Sequence, residues 1–198
     1  MKTRVILTTI LVGGVLCVAA SAQDAKKKAA PAPGAMAMPK PAPEMKELRA
    51  LIGTWTSDET YEPGVMGPTA GTGAGTNTAR LGPGGFSVLM DQRSKTPMGP
   101  FSGHGVYSWD AEQKSYKGAW VDSMTPGIPT QTGKKDGDTL VFTGEVKMGG
   151  KTIKVRDVWS DFTPTSHTLT SYNDDGSGEK KVMTVKFTKQ EAAAPAKK

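Results

Sequence analysis

From Thr54 to Thr188 the chain is a series of short β-type runs whose connections are too short to hold a crossover helix. That spacing confines it to antiparallel sheet. The runs are Thr54–Glu62, Ala70–Leu81, Phe86–Ser94, Phe101–Trp109, Ser115–Ser123, Pro129–Gly133, Thr139–Lys147, Thr152–Ser160, His167–Tyr172 and Lys181–Thr188. Asp136-Gly137, Gly149-Gly150 and Asp174-Asp175-Gly176 supply hairpin turn chemistry between them. Neighbours in sequence follow at hairpin distance throughout, whereas a Greek-key sandwich needs a long return connection. The expected fold is therefore all-β: an antiparallel up-and-down barrel of about eight to ten strands. A two-sheet sandwich is the alternative.

One segment has helical periodicity. Met45, Leu48, Leu51 and Ile52 recur at helix spacing, and Gly53 stops the run. A short helix over Met45–Ile52 is placed to close one end of the barrel. Gly53-Thr54-Trp55 follows at once: Gly53 allows a tight turn and Trp55 offers a large apolar plug for the barrel floor.

Outside residues 45–188 the chain is of another kind. Lys2 and Arg4 precede an apolar run from Val5 to Ala20, and Ala20-Ser21-Ala22 matches a cleavage site, so residues 1–22 read as an export signal. A membrane-anchoring helix is the competing reading. The run is shorter than the roughly 20 apolar residues of a span and contains Gly13-Gly14, so no stable span is expected once the signal is cleaved. The bulky Leu16 before Cys17 does not suit a lipoprotein signal. Residues 23–44, mostly Ala, Pro, Lys, Met and Gly, read as a disordered linker, and residues 189–198 as a disordered tail. The expected location is the periplasm or the extracellular space.

Cys17 is the only cysteine, so the exported part has neither disulfides nor a catalytic thiolate. The formal charge of +6 is carried by the ends: residues 1–22, 23–44 and 189–198 hold +2 each, and residues 45–188 are neutral. A nucleic-acid-binding face is not indicated. Met36 and Met38 lack the His or Cys that would make a soft-metal site, and low-complexity filler accounts for them. Nothing in the sequence fixes an oligomeric state.

Several motifs together resemble the bacterial domain-of-unknown-function family 1579 (DUF1579). They are Leu51-Ile52-Gly53-Thr54-Trp55, Phe101-x-Gly103-x-Gly105, Trp109-Asp110, Tyr116-Lys117-Gly118-x-Trp120-x-Asp122-Ser123, Phe142-Thr143-Gly144-Glu145 and Lys154-Val155-Arg156-Asp157-Val158. The resemblance runs from about Met45 to Thr188. It implies a lipocalin-like, calycin-type barrel, common in exported bacterial proteins, and brings no activity with it.

Period-2 alternation sorts the side chains of such a barrel. Tyr116, Gly118, Trp120 and Asp122 share one face of their run. Phe101, Gly103, Gly105, Tyr107 and Trp109 form another, and Phe86, Val88, Met90 and Gln92 a third. Aromatics and glycines beside a few polar groups suit a pocket for a small, mostly apolar molecule, with Met90, Gln92, Tyr107, Tyr116, Trp120, Asp122 and Asp157 as candidate lining. A solidly packed barrel acting as an interaction module accounts for the same pattern. Gly71, Gly73 and Gly75 leave one face of their run bare, which either bends the sheet or leaves interior space. Asp157 is expected to meet a ligand or to pair with an arginine such as Arg93. Arg156 is the candidate to stack on the Trp55 indole as a structural closure, a role found in lipocalins.

Catalytic signals are thin. His104 and His167 form no metal-ligand pair, and a nucleophile-elbow Gly-x-Ser-x-Gly is absent. Beside Thr165-Ser166, His167 reads as a surface residue more than as a heme ligand. Asp122 with Glu145 or Asp157 could form a carboxylate pair, but spacing fixes no separation. No catalytic residue, metal site or cofactor is assigned.

Overall fold

The computed structural model describes residues 38–191. The expected signal segment, Cys17, Met36, most of the linker and residues 192–198 lie outside the described residues.

The helix, α1 (Met45–Arg49), is shorter than its periodicity predicts. Past Arg49 the amides of Leu51 and Ile52 bond back three residues, to Leu48 and Arg49, so the last turn tightens out of α geometry. Gly53 then takes φ of 150°, which a side chain would resist, and the chain turns straight into strand. The preceding residues belong to the fold as well: the carbonyls of Ala42 and Pro43 accept from Met45 and Lys46, and the Glu44 carbonyl accepts from the Tyr116 hydroxyl at 3.1 Å.

Ten strands follow: β1 (Gly53–Tyr61), β2 (Gly71–Leu81), β3 (Ser87–Thr96), β4 (Gly99–Asp110), β5 (Ser115–Asp122), β6 (Thr130–Asp136), β7 (Thr139–Met148), β8 (Lys151–Ser160), β9 (Ser166–Asp174) and β10 (Lys180–Lys189). Each pairs antiparallel with its sequence neighbours, and β1 pairs with β10 from Trp55↔Lys189 to Tyr61↔Met183, closing the barrel. The sandwich is thereby excluded. A register shift in β10 between Lys181 and Met183 lets Val182 and Met183 both reach the interior at one end.

An up-and-down barrel sends alternate loops to opposite ends, and here the ends differ. At one end α1 lies across the opening, with Met45, Leu48 and Leu51 buried. The Trp55 indole beneath donates Nε1–H to the Leu51 carbonyl at 2.9 Å. Around Trp55 pack Val88, Leu140, Phe142, Trp159 and Phe187. His167 belongs to this packed end, only 2% exposed, which corrects the expected surface position. Its ring sits 4.4 Å from that of Trp55 and 4.6 Å from that of Phe187, with Trp159 and Phe162 also against it. The Thr-Ser turn before it pointed outward, but its register opposite Phe187 turns it in. The other end, where the β1–β2, β5–β6 and β7–β8 connections gather, is not filled.

Candidate functional site

The open half of the barrel holds a cavity of about 310 Å³. Its walls combine aromatic and aliphatic side chains, among them Phe101, Tyr107, Trp120, Val155, Trp159, Leu169 and Val185. Met66, Met124 and Met148, from the connections or strand end at this side, border it together with Met183.

Glycines on β4, β5 and β6 let the rings lie close to the wall. A Cβ at Gly103 or Gly105 would run into the Trp120 indole, and one at Gly118 would touch Tyr107. Tyr107 in turn meets Phe142 edge-on, with ring centroids 5.4 Å apart. The glycine–aromatic faces therefore widen the interior at no cost in apolar wall.

Two polar stations interrupt that wall. The first centres on Glu59, which is 5% exposed. Its Oε1 accepts from Ser57 at 3.2 Å, from Gln92 Nε2 at 3.0 Å and from the Ser94 hydroxyl; its Oε2 accepts from the Tyr61 hydroxyl. Gln92 Oε1 accepts from Asn77 Nδ2 at 3.0 Å. Burial and the Glu59 contact push the Tyr61 hydroxyl well above its ordinary pKa. The bare face of β2 explains how the station fits: a Cβ at Gly73 would come within 2.7 Å of Glu59 Oε2, and one at Gly75 within 2.6 Å of Ser94 Oγ. The space left by the glycine row is occupied by this network.

The second station is Asp157 on β8. Its oxygens accept from Gln131 Nε2 and from the Ser171 hydroxyl, each at 2.6 Å. Among the described residues no arginine pairs with it, so two neutral donors stand where a partner such as Arg93 was expected. Burial raises its pKa, and the bonds from Ser171 and Gln131 oppose that rise. The Tyr107 hydroxyl is likewise pushed up, first by burial and then by Asp157.

Asp122 does a different job at the rim. One oxygen accepts from Trp120 Nε1 at 3.0 Å; the other accepts the amides of Met124 at 2.7 Å and Thr125 at 2.6 Å. It thus ties the indole to the β5–β6 connection. Asp122, Glu145 and Asp157 all border the cavity, and Glu145 is exposed at its edge. Among the described residues no group of three His, Cys, Asp or Glu side chains could hold a metal ion.

Of the residues singled out in the sequence, Met90, Gln92, Tyr107, Trp120, Asp122 and Asp157 line the cavity. Tyr116 does not: it is 2% exposed, packs on Trp109 at the α1 end and bonds to Glu44. Burial, with Glu47 and Glu44 near, pushes its hydroxyl up to about 12. Gly53 and Trp55 form the closed floor. Arg156 is not over Trp55; it stands on the outer face, 4.0 Å above the Tyr172 ring, and forks onto Glu179 at 2.8 and 2.6 Å. Lys189 takes the position over Trp55 instead, 5.4 Å from the ring centre, because β10 pairs it opposite Trp55. Sequence reasoning missed Glu59, Tyr61 and Asn77. Their signal was present, since Glu59 and Tyr61 alternate in phase with the inward Trp55.

The fold and its half-empty interior define a lipocalin-like barrel, closed at one end and open at the other. The chain belongs to the protein family of unknown function DUF1579, whose model matches residues 40–189. Two solved structures are similar in fold. Rv2717c from M. tuberculosis has 11% identity and a TM-score of 0.55, covering 77% of this chain and 100% of that one. The S-type phycobiliprotein lyase CPES from Guillardia theta has 12% identity and a TM-score of 0.50, covering 75% and 93%. No curated protein matches the chain in sequence.

Proposed function

We propose that this is an exported protein that binds or carries a small, mostly apolar molecule inside the barrel. The observation that carries the reading is the asymmetry of the interior: one end is packed around Trp55, and the other holds a cavity of about 310 Å³ with apolar walls and two convergent polar stations. Small-molecule sites usually measure about 300–1,000 Å³ and combine these two kinds of surface. Methionines at the mouth suit it, since their unbranched side chains adapt to different shapes. Export is supported by the N-terminal sequence pattern. The competing interaction module needs a solid barrel that meets its partner through an outer face or a strand edge; the cavity speaks against the first premise, and among the described residues the closed barrel offers no free edge.

Native mass spectrometry of the protein recovered from its own host, set against a denatured run of the same sample, tests the reading. An occupant released on denaturation supports it and supplies the chemistry of the ligand. With an apo mass, titration of apolar fluorescent probes decides: saturable binding with Trp quenching supports the reading, and its absence across a broad panel overturns it.

A further inference from the structure

The hydrogen bonds of the Glu59 station have a fixed direction. Glu59 Oε1 is an acceptor, so the end of Gln92 facing it is the NH₂, which also lies 2.9 Å from Ser57 Oγ and 2.7 Å from Ser94 Oγ. Gln92 Oε1 must therefore face Asn77, and it accepts Asn77 Nδ2 at 3.0 Å. What remains is Asn77 Oδ1, an acceptor on a side chain 1% exposed that borders the cavity and has no partner among the described residues. A buried acceptor left unmatched forfeits its hydration without compensation, so a donor brought to it is favoured. The chain of bonds cannot be reversed to offer a donor there without setting an oxygen against Glu59.

The charges of the cavity are equally one-sided. Glu59, Asp122 and Asp157 face it, Glu145 stands at its edge, and among the described residues no Lys, Arg or His lines it. Among the described residues neither Glu59 nor Asp157 is paired with a cation. An anionic ligand would be repelled, while a cation with N–H groups supplies both the missing charge and the missing donor.

Resting on the binding function proposed above, we infer that the cavity selects an apolar molecule bearing a protonated amine, which donates N–H to Asn77 Oδ1 beside Glu59. A carboxylic acid of the same size is disfavoured.

Displacement of the neutral dye N-phenyl-1-naphthylamine from the full protein at pH 7 tests this, with 4-phenylbutylamine, 4-phenylbutanol and 4-phenylbutyrate as competitors sharing one apolar body. The amine is expected to displace the dye at a concentration about tenfold below the carboxylate, with the alcohol between them. Asn77→Leu is expected to remove most of the amine's advantage over the alcohol while the dye still binds. Glu59→Gln is expected to lower the amine-to-carboxylate ratio. Equal or better displacement by the carboxylate on the wild-type protein overturns the inference and leaves the binding function standing. Failure of the dye and of all three competitors to bind overturns both. An unchanged amine advantage in a dye-binding Asn77→Leu protein overturns the assigned contact.

Discussion

The Trp120 indole lies against Gly103, so close that a Cβ at position 103 would overlap its six-membered ring. Asp122 holds the indole there through Nε1. Gly103→Ala therefore has to push the ring into the cavity. The expected outcome is about a tenfold loss of affinity for an apolar probe and a loss of stability of about 1–3 kcal/mol, the usual cost of overpacking. Probe titration and urea denaturation measure the two; unchanged values for both would show that the wall yields elsewhere.

Asp122→Asn keeps the shape of the rim but replaces an acceptor oxygen by an NH₂. It must then oppose either Trp120 Nε1 or the Met124 and Thr125 amides. We expect a loss of about 1–2 kcal/mol and faster hydrogen exchange at Met124 and Thr125. Protection equal to wild type at both amides would contradict the clamp.

His167 makes acid stability titratable. Burial among rings pulls its pKa from 6.5 down to about 4. The folded state thus binds the proton less readily than the unfolded one. Its contribution is complete above pH 6.5 and is lost as pH falls toward 4, to a total of about 3 kcal/mol. His167→Phe is expected to flatten the stability curve over that window in denaturation at stepped pH. The same slope in the variant would assign it to other groups.

Asp157 has the opposite sign from a salt-bridged carboxylate. Its raised pKa means that the folded state holds the proton more tightly, so this group's contribution to stability falls as pH rises above 3.8. Asp157→Asn removes the titration and, with the Gln131 amide turned over, retains both hydrogen bonds. Higher stability at pH 7 is expected by thermal melting, together with weaker binding of an amine ligand. A destabilised Asn variant would mean that the carboxylate is already compensated.

Arg156→Ala serves as a contrast. Its fork on Glu179 and its stacking on Tyr172 lie outside the barrel, so a loss within about 1 kcal/mol and unchanged probe affinity are expected. A binding defect would show that the outer face communicates with the cavity.

How far the site was legible follows from strand parity. Alternation along β3, β4 and β5 placed Met90, Gln92, Tyr107, Trp120 and Asp122 on one interior, and the structure finds them around one cavity. Parity says nothing about height along the barrel axis. Tyr116 shares the face of Trp120 but stands nearer the α1 end, where the space is filled. His167 was assigned from its turn-like neighbours, yet its register opposite Phe187 puts it inside. Likewise the cation over Trp55 is decided by which residue β10 sets beside it, and that is Lys189.

The all-β class, the run of hairpins, the closing helix and the inward faces are written locally in the chain, because they depend on turn chemistry and on helical or two-residue periods. That the barrel is half packed and half hollow, and that the glycine row of β2 makes room for Glu59 and Ser94, emerges with the assembled barrel. Assembly also leaves Asn77 Oδ1 without a partner among the described residues. Those outcomes depend on shear and closure, which bring side chains from strands distant in sequence to one level of the barrel, and no local pattern encodes that level.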